Sequence, residues 1–354
     1  MQTRSRIHAD TPSHQDQFDR IPDSLVLLVL NKVADVRVLG RCSAVSKRFN
    51  SLVPLVHDVY VKIDRVVTVD ADSYDDAPNL SSPNPATSSP ISSSSCSSPP
   101  SNPSAIPTTL AVEASPSPQL SHHSPAQVLK NFTHIRHLQI ELPAGDVGTE
   151  DGVLLKWRAE FGSTLQNCVI LGGTKIERKP EEGNENIPST EDDGSIPESF
   201  YTNGGLKLRV VWTISSLIAA STRHYLLRQI VKDHPTLRSL VLTDADDQGT
   251  LTMSEEQLKE FREKPLNAST SANRTQVPAS NMKLRYAPLL ELPNGMELQG
   301  ATLVAIRPSG EGSSNVGYRK EAEAFLSGAF DGPFRLAAKT LLKRKTYLLE
   351  MNGF

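Results

Sequence analysis

Cysteine is scarce in this sequence, with three in 354 residues, at Cys42, Cys96 and Cys168. Odd in number and far apart, they cannot build a disulfide framework, and no C-x-x-C pair offers a zinc site. A reduced, intracellular setting is the simplest reading, nuclear, cytoplasmic or both. No run approaches 18 consecutive apolar residues, so no membrane span is expected. Met1 to His14 is polar and lacks the apolar stretch of a secretory signal. A basic excess is also missing: 37 Lys plus Arg against 40 Asp plus Glu give a net charge of −3, the wrong balance for a nucleic-acid binder. Nothing matches G-x-S-x-G, G-x-x-x-x-G-K-S/T, G-x-G-x-x-G or H-E-x-x-H, so no catalytic residue, cofactor or resident metal is assigned. No cysteine carries a catalytic signature, and the scattered histidines make no metal set. His134 and His137 are an odd number of residues apart in a strand-like run, so they point to opposite faces.

One internal window is poor in large apolar residues and has no basic ones. Between Ala71 and Pro125 lie 11 of the 25 prolines and 17 serines, with four acidic residues and no Lys or Arg. Such a segment cannot offset the entropy of ordering its backbone, so residues 71–125 are expected to be a disordered linker between two separated folded pieces. Six Ser-Pro pairs, beginning at Ser82, Ser89, Ser98, Ser115, Ser117 and Ser124, follow from composition as readily as from proline-directed phosphorylation. A second polar stretch, residues 174–205, carries Glu181-Glu182 and Glu191-Asp192-Asp193 and reads as an acidic surface loop. Residues 1–17 read as a disordered tail.

The N-terminal piece, residues 18–61, is helical in pattern. Pro22 with Asp23 beside it marks a helix start. Leu25-Val26-Leu27-Leu28-Val29-Leu30 is apolar nearly all round, so both faces of that helix require burial. One face packs internally, and the other needs a partner protein or the C-terminal domain. Asp35 can cap a second helix whose apolar positions Val38, Leu39, Cys42, Val45, Phe49, Leu52 and Val53 recur every three to four residues until Pro54 stops it.

Phe18, Ile21-Pro22-Asp23, Leu25, Leu28, Leu30, Asp35, Leu39, Cys42, Val45-Ser46-Lys47-Arg48-Phe49 and Leu52 resemble the F-box. The family pattern runs as an aromatic, then Leu-Pro-Asp/Glu, Leu, Ile-Leu, and Val-Cys/Ser-Lys/Arg-Arg-Phe/Trp. Ile21 replaces the usual Leu, and Phe49 stands where Trp is frequent. Ile for Leu nearly conserves volume and keeps most of the apolar contact. The resemblance implies docking to a Skp-like adaptor, and through it to a cullin, in an SCF-type ubiquitin ligase. It carries the adaptor face over to Ile21, Pro22, Leu25 and Leu28, with Val45 and Phe49 as support.

The C-terminal piece, residues 126–354, contains short runs of L-x-x-L-x-L spacing. Ile135 to Ile140 and Leu237 to Leu242 fit, Leu165 to Ile170 fits with Cys168 in the middle, and Leu298 to Leu303 fits weakly. A helical pattern spans Val211 to Lys232 and ends at Asp233-His234-Pro235, directly before a strand. This helix-then-strand unit resembles an irregular leucine-rich repeat, while an α/β domain with coincidental leucines stands beside it as the plain alternative. With the Ser/Pro linker, Thr236 to Asp244 and Leu303 to Pro308, the arrangement resembles the plant auxin up-regulated F-box group. Phe334 to Met351 reads as one helix with Lys339, Lys343, Arg344 and Lys345.

Asp244, Asp246, Gln248, Gly249, Leu251 and Glu255 follow the spacing of a calcium loop, but a strand precedes them where such a loop needs a helix. A polar turn before the next helix accounts for the same residues.

The fold class expected is mixed α/β: small all-α F-box helices, a linker, and a leucine-rich-repeat-like domain. The function that the resemblance implies is that of a non-catalytic receptor, possessing an unknown protein substrate and acting in auxin or other hormone-related signalling. The rival is a stand-alone interaction or calcium-responsive module.

Overall fold

Pro22, extended at φ −61° and ψ 148°, opens the first helix, α1 (Asp23–Val33), as its N-cap. Asp35 caps α2 (Val36–Val45): its Oδ1 accepts from the backbone N–H of Arg37 at 2.8 Å and of Val38 at 3.0 Å. The long second helix expected from periodicity is broken at Ser46, which is extended and caps a separate α3 (Lys47–Leu52), its Oγ accepting from Phe49 N–H at 3.2 Å. A serine that can satisfy a free N–H competes with helix continuation.

The computed structural model describes residues 17–64, 125–145, 147–178, 196–202, 204–264, 273–310 and 324–354. The tail to residue 16, the Ser/Pro tract except Pro125, its Ser-Pro pairs, Cys96 and residues 179–195 of the acidic stretch lie outside them.

The strands are β1 (Asp58–Lys62), β2 (His137–Leu142), β3 (Leu154–Phe161), β4 (Leu165–Gly173), β5 (Lys175–Arg178), β6 (Ser239–Asp244), β7 (Gly249–Met253), β8 (Ser280–Leu292), β9 (Met296–Pro308) and β10 (Tyr347–Met351). They form one ten-stranded sheet in the order β1-β2-β6-β7-β3-β4-β9-β8-β10, with β5 beside β9. The further helices are α4 (Pro125–Leu129), α5 (Glu198–Thr202), α6 (Gly205–Leu226), α7 (Arg228–Asp233), α8 (Glu255–Glu263) and α9 (Gly332–Leu342).

β1, β2 and β6 are parallel, with Val59, Leu138 and Leu240 aligned, then Val61, Ile140 and Leu242. All six are buried, as are Val56, Ile135 and Leu237 at the start of each run. The L-x-x-L-x-L spacing therefore has three rungs. The first, Val56-x-x-Val59-x-Val61, carries no leucine and escaped the sequence pattern. The runs at Leu165 and Leu298 lie instead in β4 and β9, which pair antiparallel, so the expected repeat array is corrected to three parallel rungs joined to an antiparallel sheet.

The expectation of two separated pieces is corrected as well. β1 belongs to the N-terminal helical segment, yet it pairs along its whole length with β2. Val26 and Leu30 of α1, Leu39 of α2 and Leu52 of α3 enter the same apolar core as Leu138, Trp157, Leu217 and Ile306. Only one face of α1 is satisfied this way. Two ends of the expected acidic loop are ordered as β5 and α5, and the expected C-terminal helix stops at Leu342 and gives way to β10, which pairs antiparallel with β8. Cross-strand pairing overrides the local helical pattern there.

The sheet has two unlike faces. One holds the main core under α6, with Trp157, Cys168, Leu240 and Val304 pointing into it. On the other face, the β3–β4–β9–β8 half carries Leu154, Val169, Leu171, Leu303 and Ala305, which pack with Leu326 and Phe330 and with Ala337 and Leu341 of α9. The β1–β2–β6–β7 half of that face carries Asp58, Tyr60, Lys62, His137, Gln139, Glu141, Ser239, Val241, Thr243, Thr250 and Thr252, none of them buried. Its alternation of buried and accessible positions is that of a sheet with one side in water.

His224 of α6 fixes the main core to the end of β3. Its Nε2 lies 3.0 Å from the carbonyl of Gly162, which can only accept, so Nε2 carries the proton and Nδ1 accepts from Thr275 Oγ1 at 2.7 Å. Its ring stacks on Phe161 with centroids 4.4 Å apart. Burial pushes its pKa down to about 3. Below the ordinary value of about 6.5 the unfolded chain binds a proton that the folded chain refuses, so stability falls as pH falls through that window. Between pH 7.5 and 5 the loss from this group is about 2 kcal/mol. His57 and His234, also lowered by burial, act in the same direction. Chemical denaturation of His224→Phe across that range is expected to show a shallower pH dependence than the parent chain, whatever its absolute stability.

Candidate protein-docking surface

The face of α1 turned away from the core is apolar. Ile21, Leu25 and Leu28 recur at the spacing of one helical stripe, with Val29 beside them, and all four are exposed, Leu28 at 57% and Val29 at 60%. Phe18 and Val45 are exposed too, Val45 at 71%. Pro22 is exposed at the head of α1, and Phe49 is half-buried. Of the six residues assigned to adaptor binding, five lie at the surface. Phe49 stands behind them and meets Phe18 edge-on, with centroids 5.7 Å apart.

Arg48 holds this surface in shape. Its Nε donates to Asp23 Oδ1 at 2.8 Å, Nη1 donates to the Phe18 carbonyl at 2.6 Å, and Nη2 donates to the Ile21 carbonyl. A planar guanidinium reaches three acceptors at once, which an ammonium on a flexible stem cannot reproduce. The turn before α1 is thereby fixed to α3, and the apolar stripe starts from a defined position.

The bare half of the sheet is polar and mixed in charge. At its outer edge Tyr60 donates to Glu141 Oε2 at 2.6 Å, and Lys62 Nζ donates to Glu141 Oε1 at 2.6 Å. The bond to Glu141 pushes the Tyr60 phenol up to about 12, while Lys62 and then Tyr60 hold the Glu141 carboxyl below its usual range.

Of the two readings of residues 244–255, the backbone forms the polar turn and not the calcium loop. Asp244, which would be the first ligand, is buried against Arg223, whose Nη2 lies 2.7 Å from Asp244 Oδ2. It also accepts from the N–H groups of Gln248 at 2.6 Å and Gly249 at 2.9 Å. β6 and β7 form a hairpin with Leu240 opposite Met253 and Thr243 opposite Thr250. Glu255, the would-be last ligand, therefore lies beyond the far end of β7 and sits 3.9 Å from Arg238. At about 3.3 Å per residue the hairpin keeps it roughly 15–20 Å from Asp244. The sequence spacing was right, but the chain folds back instead of circling an ion. Among the described residues no cluster of His, Cys, Asp and Glu could hold a metal, and no helix is long and apolar enough to cross a membrane. Cys168 is enclosed, and burial pushes its thiol up to about 12, which leaves little thiolate for nucleophilic chemistry.

The fold thus presents an apolar helix stripe held by an arginine clamp and, on the other side of the sheet, a bare polar face. The whole chain has close counterparts. F-box protein At4g18380 of Arabidopsis thaliana is 52% identical over 99% of this chain and 97% of its own length. F-box proteins AUF1 and AUF2 of the same organism are 39% and 41% identical over 96% of this chain and the full length of each. The chain belongs to the F-box protein family, and AUF1 and AUF2 bear out the resemblance to that group. No protein-family profile matches the chain, and no solved structure matches it.

Two outcomes follow from this geometry. Millimolar calcium is expected to leave the melting temperature unchanged and to give no heat of binding, since Asp244 is already committed to Arg223; a calcium-dependent rise in melting temperature would contradict the hairpin. Arg48→Lys is expected to speed hydrogen exchange at the Ile21 and Leu25 amides by roughly tenfold, the factor corresponding to about 1.4 kcal/mol for a lost charge-assisted bond. Amides of β4 and β9 are expected to keep their protection.

Proposed function

We propose that this protein is a substrate-recognition subunit of an SCF-type ubiquitin–protein ligase. The observation that carries the proposal is the exposed stripe of Leu25, Leu28 and Val29 on α1, continued by Ile21 just before it, on a helix whose opposite face is locked into the core. A soluble chain gains nothing from presenting such a stripe to water unless a partner covers it. In this reading the F-box spans residues 18–61 and offers Ile21, Pro22, Leu25 and Leu28 to a Skp-like adaptor, with Val45 and Phe49 in support. The adaptor connects the chain to a cullin.

Residues 126–354 recruit the target protein, and the bare half of the sheet is the surface available for it. The chain itself is non-catalytic. Ubiquitin transfer is promoted by holding the target near the ligase's other subunits, which replaces a bimolecular encounter with an intramolecular one. The linker residues 71–125 and the nuclear or cytoplasmic setting belong to the same proposal, as does a role in auxin or other hormone-related signalling, supported by the likeness to AUF1 and AUF2.

The test is co-purification of the full chain with a Skp-like adaptor. Leu25 is exposed, so a Pro22→Ala, Leu25→Ala double variant is expected to keep its melting temperature within a few degrees. Losing one buried leucine contact of about 1.5–3 kcal/mol is expected to weaken adaptor capture at least tenfold. Equal capture by parent and variant would reject the docking assignment and leave a stand-alone interaction protein.

A further inference from the structure

The path of the sheet ends at β1 on one side and at β10 on the other. An end strand turns a row of N–H and C=O groups outward, and folded chains usually cover or charge such a row. At β1 the row is covered. Asp35 bridges to Tyr60, the Tyr60 N–H donates to the Ala34 carbonyl at 2.9 Å, and Arg37 Nη2 donates to the Lys62 carbonyl at 3.5 Å. At β10 the described residues place a strand on one side alone, β8, and none of them outside β8 bonds to the β10 backbone. The strand is nonetheless held at both ends. Tyr347 Oη accepts from the Ile196 N–H at 2.9 Å, and Phe354 and Val277 exchange both backbone bonds, at 2.9 and 3.0 Å. An edge fixed in this way pairs without first having to be ordered.

The side chains around this edge are basic and apolar. Leu348 is 73% exposed, more than Leu28 or Val29 of the α1 stripe. Lys283 of β8 stands directly opposite it. Met282, Leu284 and Leu349 turn to the main core, so Lys283 and Leu348 share the other face of the sheet. Lys343 and Lys345 lie in the short connection from α9 to β10, at the head of the edge. All three lysines are exposed and none forms an ion pair; Lys345 Nζ lies 5.6 Å from the Tyr347 ring centroid. Unpaired ammonium groups call for carboxylates, and an open row of alternating donors and acceptors calls for a polypeptide backbone. A nucleic acid or an anionic lipid surface would meet the lysines and leave the row unpaired. A second copy of β10 would bring the same lysines against these.

We propose that β10 accepts an added strand: an extended acidic segment of a partner polypeptide pairs with its outer edge and lays its carboxylates on Lys283, Lys343 and Lys345. This surface lies at the opposite end of the sheet from β1 and apart from the bare half-face, so the assignment goes beyond the ligase reading and does not depend on it.

The test is titration of the full chain with acetyl-Thr-Glu-Val-Glu-Val-Glu-Thr-amide and with its counterpart bearing Gln for Glu. At about 50 mM salt the Glu probe is expected to bind roughly tenfold more tightly, the effect of three exposed charge contacts, and the difference is expected to shrink at about 500 mM. Lys283→Gln, Lys343→Gln and Lys345→Gln together are expected to abolish it without moving the melting temperature. Strand addition is read from two further Glu probes, N-methylated at odd or at even positions. A strand pairs along one edge through alternate N–H groups, so one probe is expected to lose binding about tenfold and the other to keep it. Neutralising Glu191, Asp192 and Asp193 as Gln, Asn and Asn is expected to leave the Glu probe's affinity unchanged. No binding, equal binding of the Glu and Gln probes, equal loss from both N-methylated probes, or indifference to the lysine substitutions would overturn the assignment. So would tighter binding of oligo-dT or of phosphatidylserine vesicles than of the Glu probe, or a tenfold gain on neutralising the chain's own acidic run, which would make that run the occupant.

Discussion

The parallel pairing of β1 with β2 decides how the rest of the molecule is arranged. β1 sits only three residues after the 3-10 turn Val53–Leu55 that closes the N-terminal helices. A parallel neighbour cannot be reached by a tight turn and needs a long crossover, which the chain supplies between Lys62 and His137. The entropic cost of so long a connection is modest, because loop closure grows only logarithmically and each doubling adds about 0.6 kcal/mol. Against it stand five paired residues, the buried Val59 and Val61, and the docking of Val26, Leu30 and Leu39 on the same core. Further backbone bonds extend the contact: Tyr60 N–H donates to the Ala34 carbonyl at 2.9 Å, and His57 takes both Arg136 N–H and His137 N–H on its own carbonyl. A helical segment too small to hide its own apolar surface is thus completed by a sheet far away in sequence.

A second constraint lies under the β6–β7 hairpin. Arg223 of α6 reaches Asp244 and the Gly249 carbonyl, and its guanidinium stacks over Trp157 at 4.7 Å. Gly249 packs so closely on Trp157 that a Cβ would come within 2.2 Å of the ring. Burying either charge alone would cost about 3–5 kcal/mol, so the pair fixes the hairpin's orientation as much as it stabilises it. The same hairpin supplies Thr250 and Thr252 to the bare face.

What the sequence showed clearly was whatever depends on neighbours in the chain. Pro22, Asp35 and the α1 stripe were legible because a cap and a helical face are local events. Ile135 to Ile140 and Leu237 to Leu242 were legible because leucine spacing is conspicuous. Val56, Val59 and Val61 obey the same spacing with valine alone, and a short valine run before a long linker gives no sign of what it pairs with. The strand at Tyr347 was hidden by a helical pattern that continues past Leu342, because β8 decides that segment's state from sixty residues away. Lys283 and Leu348 are ordinary letters until an antiparallel register puts them on one face. At Asp244 to Glu255 the spacing imitates a calcium loop, while the strand before it already pointed to the polar turn that the backbone forms.

The joining of the helices to the sheet also bears on how a receptor of this kind works. The Ser/Pro tract lies between β1 and β2 in sequence, yet those strands are adjacent. The α1 stripe and the bare face therefore belong to one folded unit, and the tract's length does not set the distance between them. The α1 helix packs on the core side of the sheet, whereas the polar half-face lies on the opposite side. A partner covering Leu25 and Leu28 and a chain lying across β6 and β7 would then be separated by the thickness of the domain and held at a fixed angle. Fixed geometry raises effective concentration only when the sites can be spanned together, and it lowers it sharply otherwise. Under the proposed receptor role, a fixed angle between the two surfaces makes the position of a target's modifiable lysines, as well as the chemistry of its bound segment, decide whether it is modified.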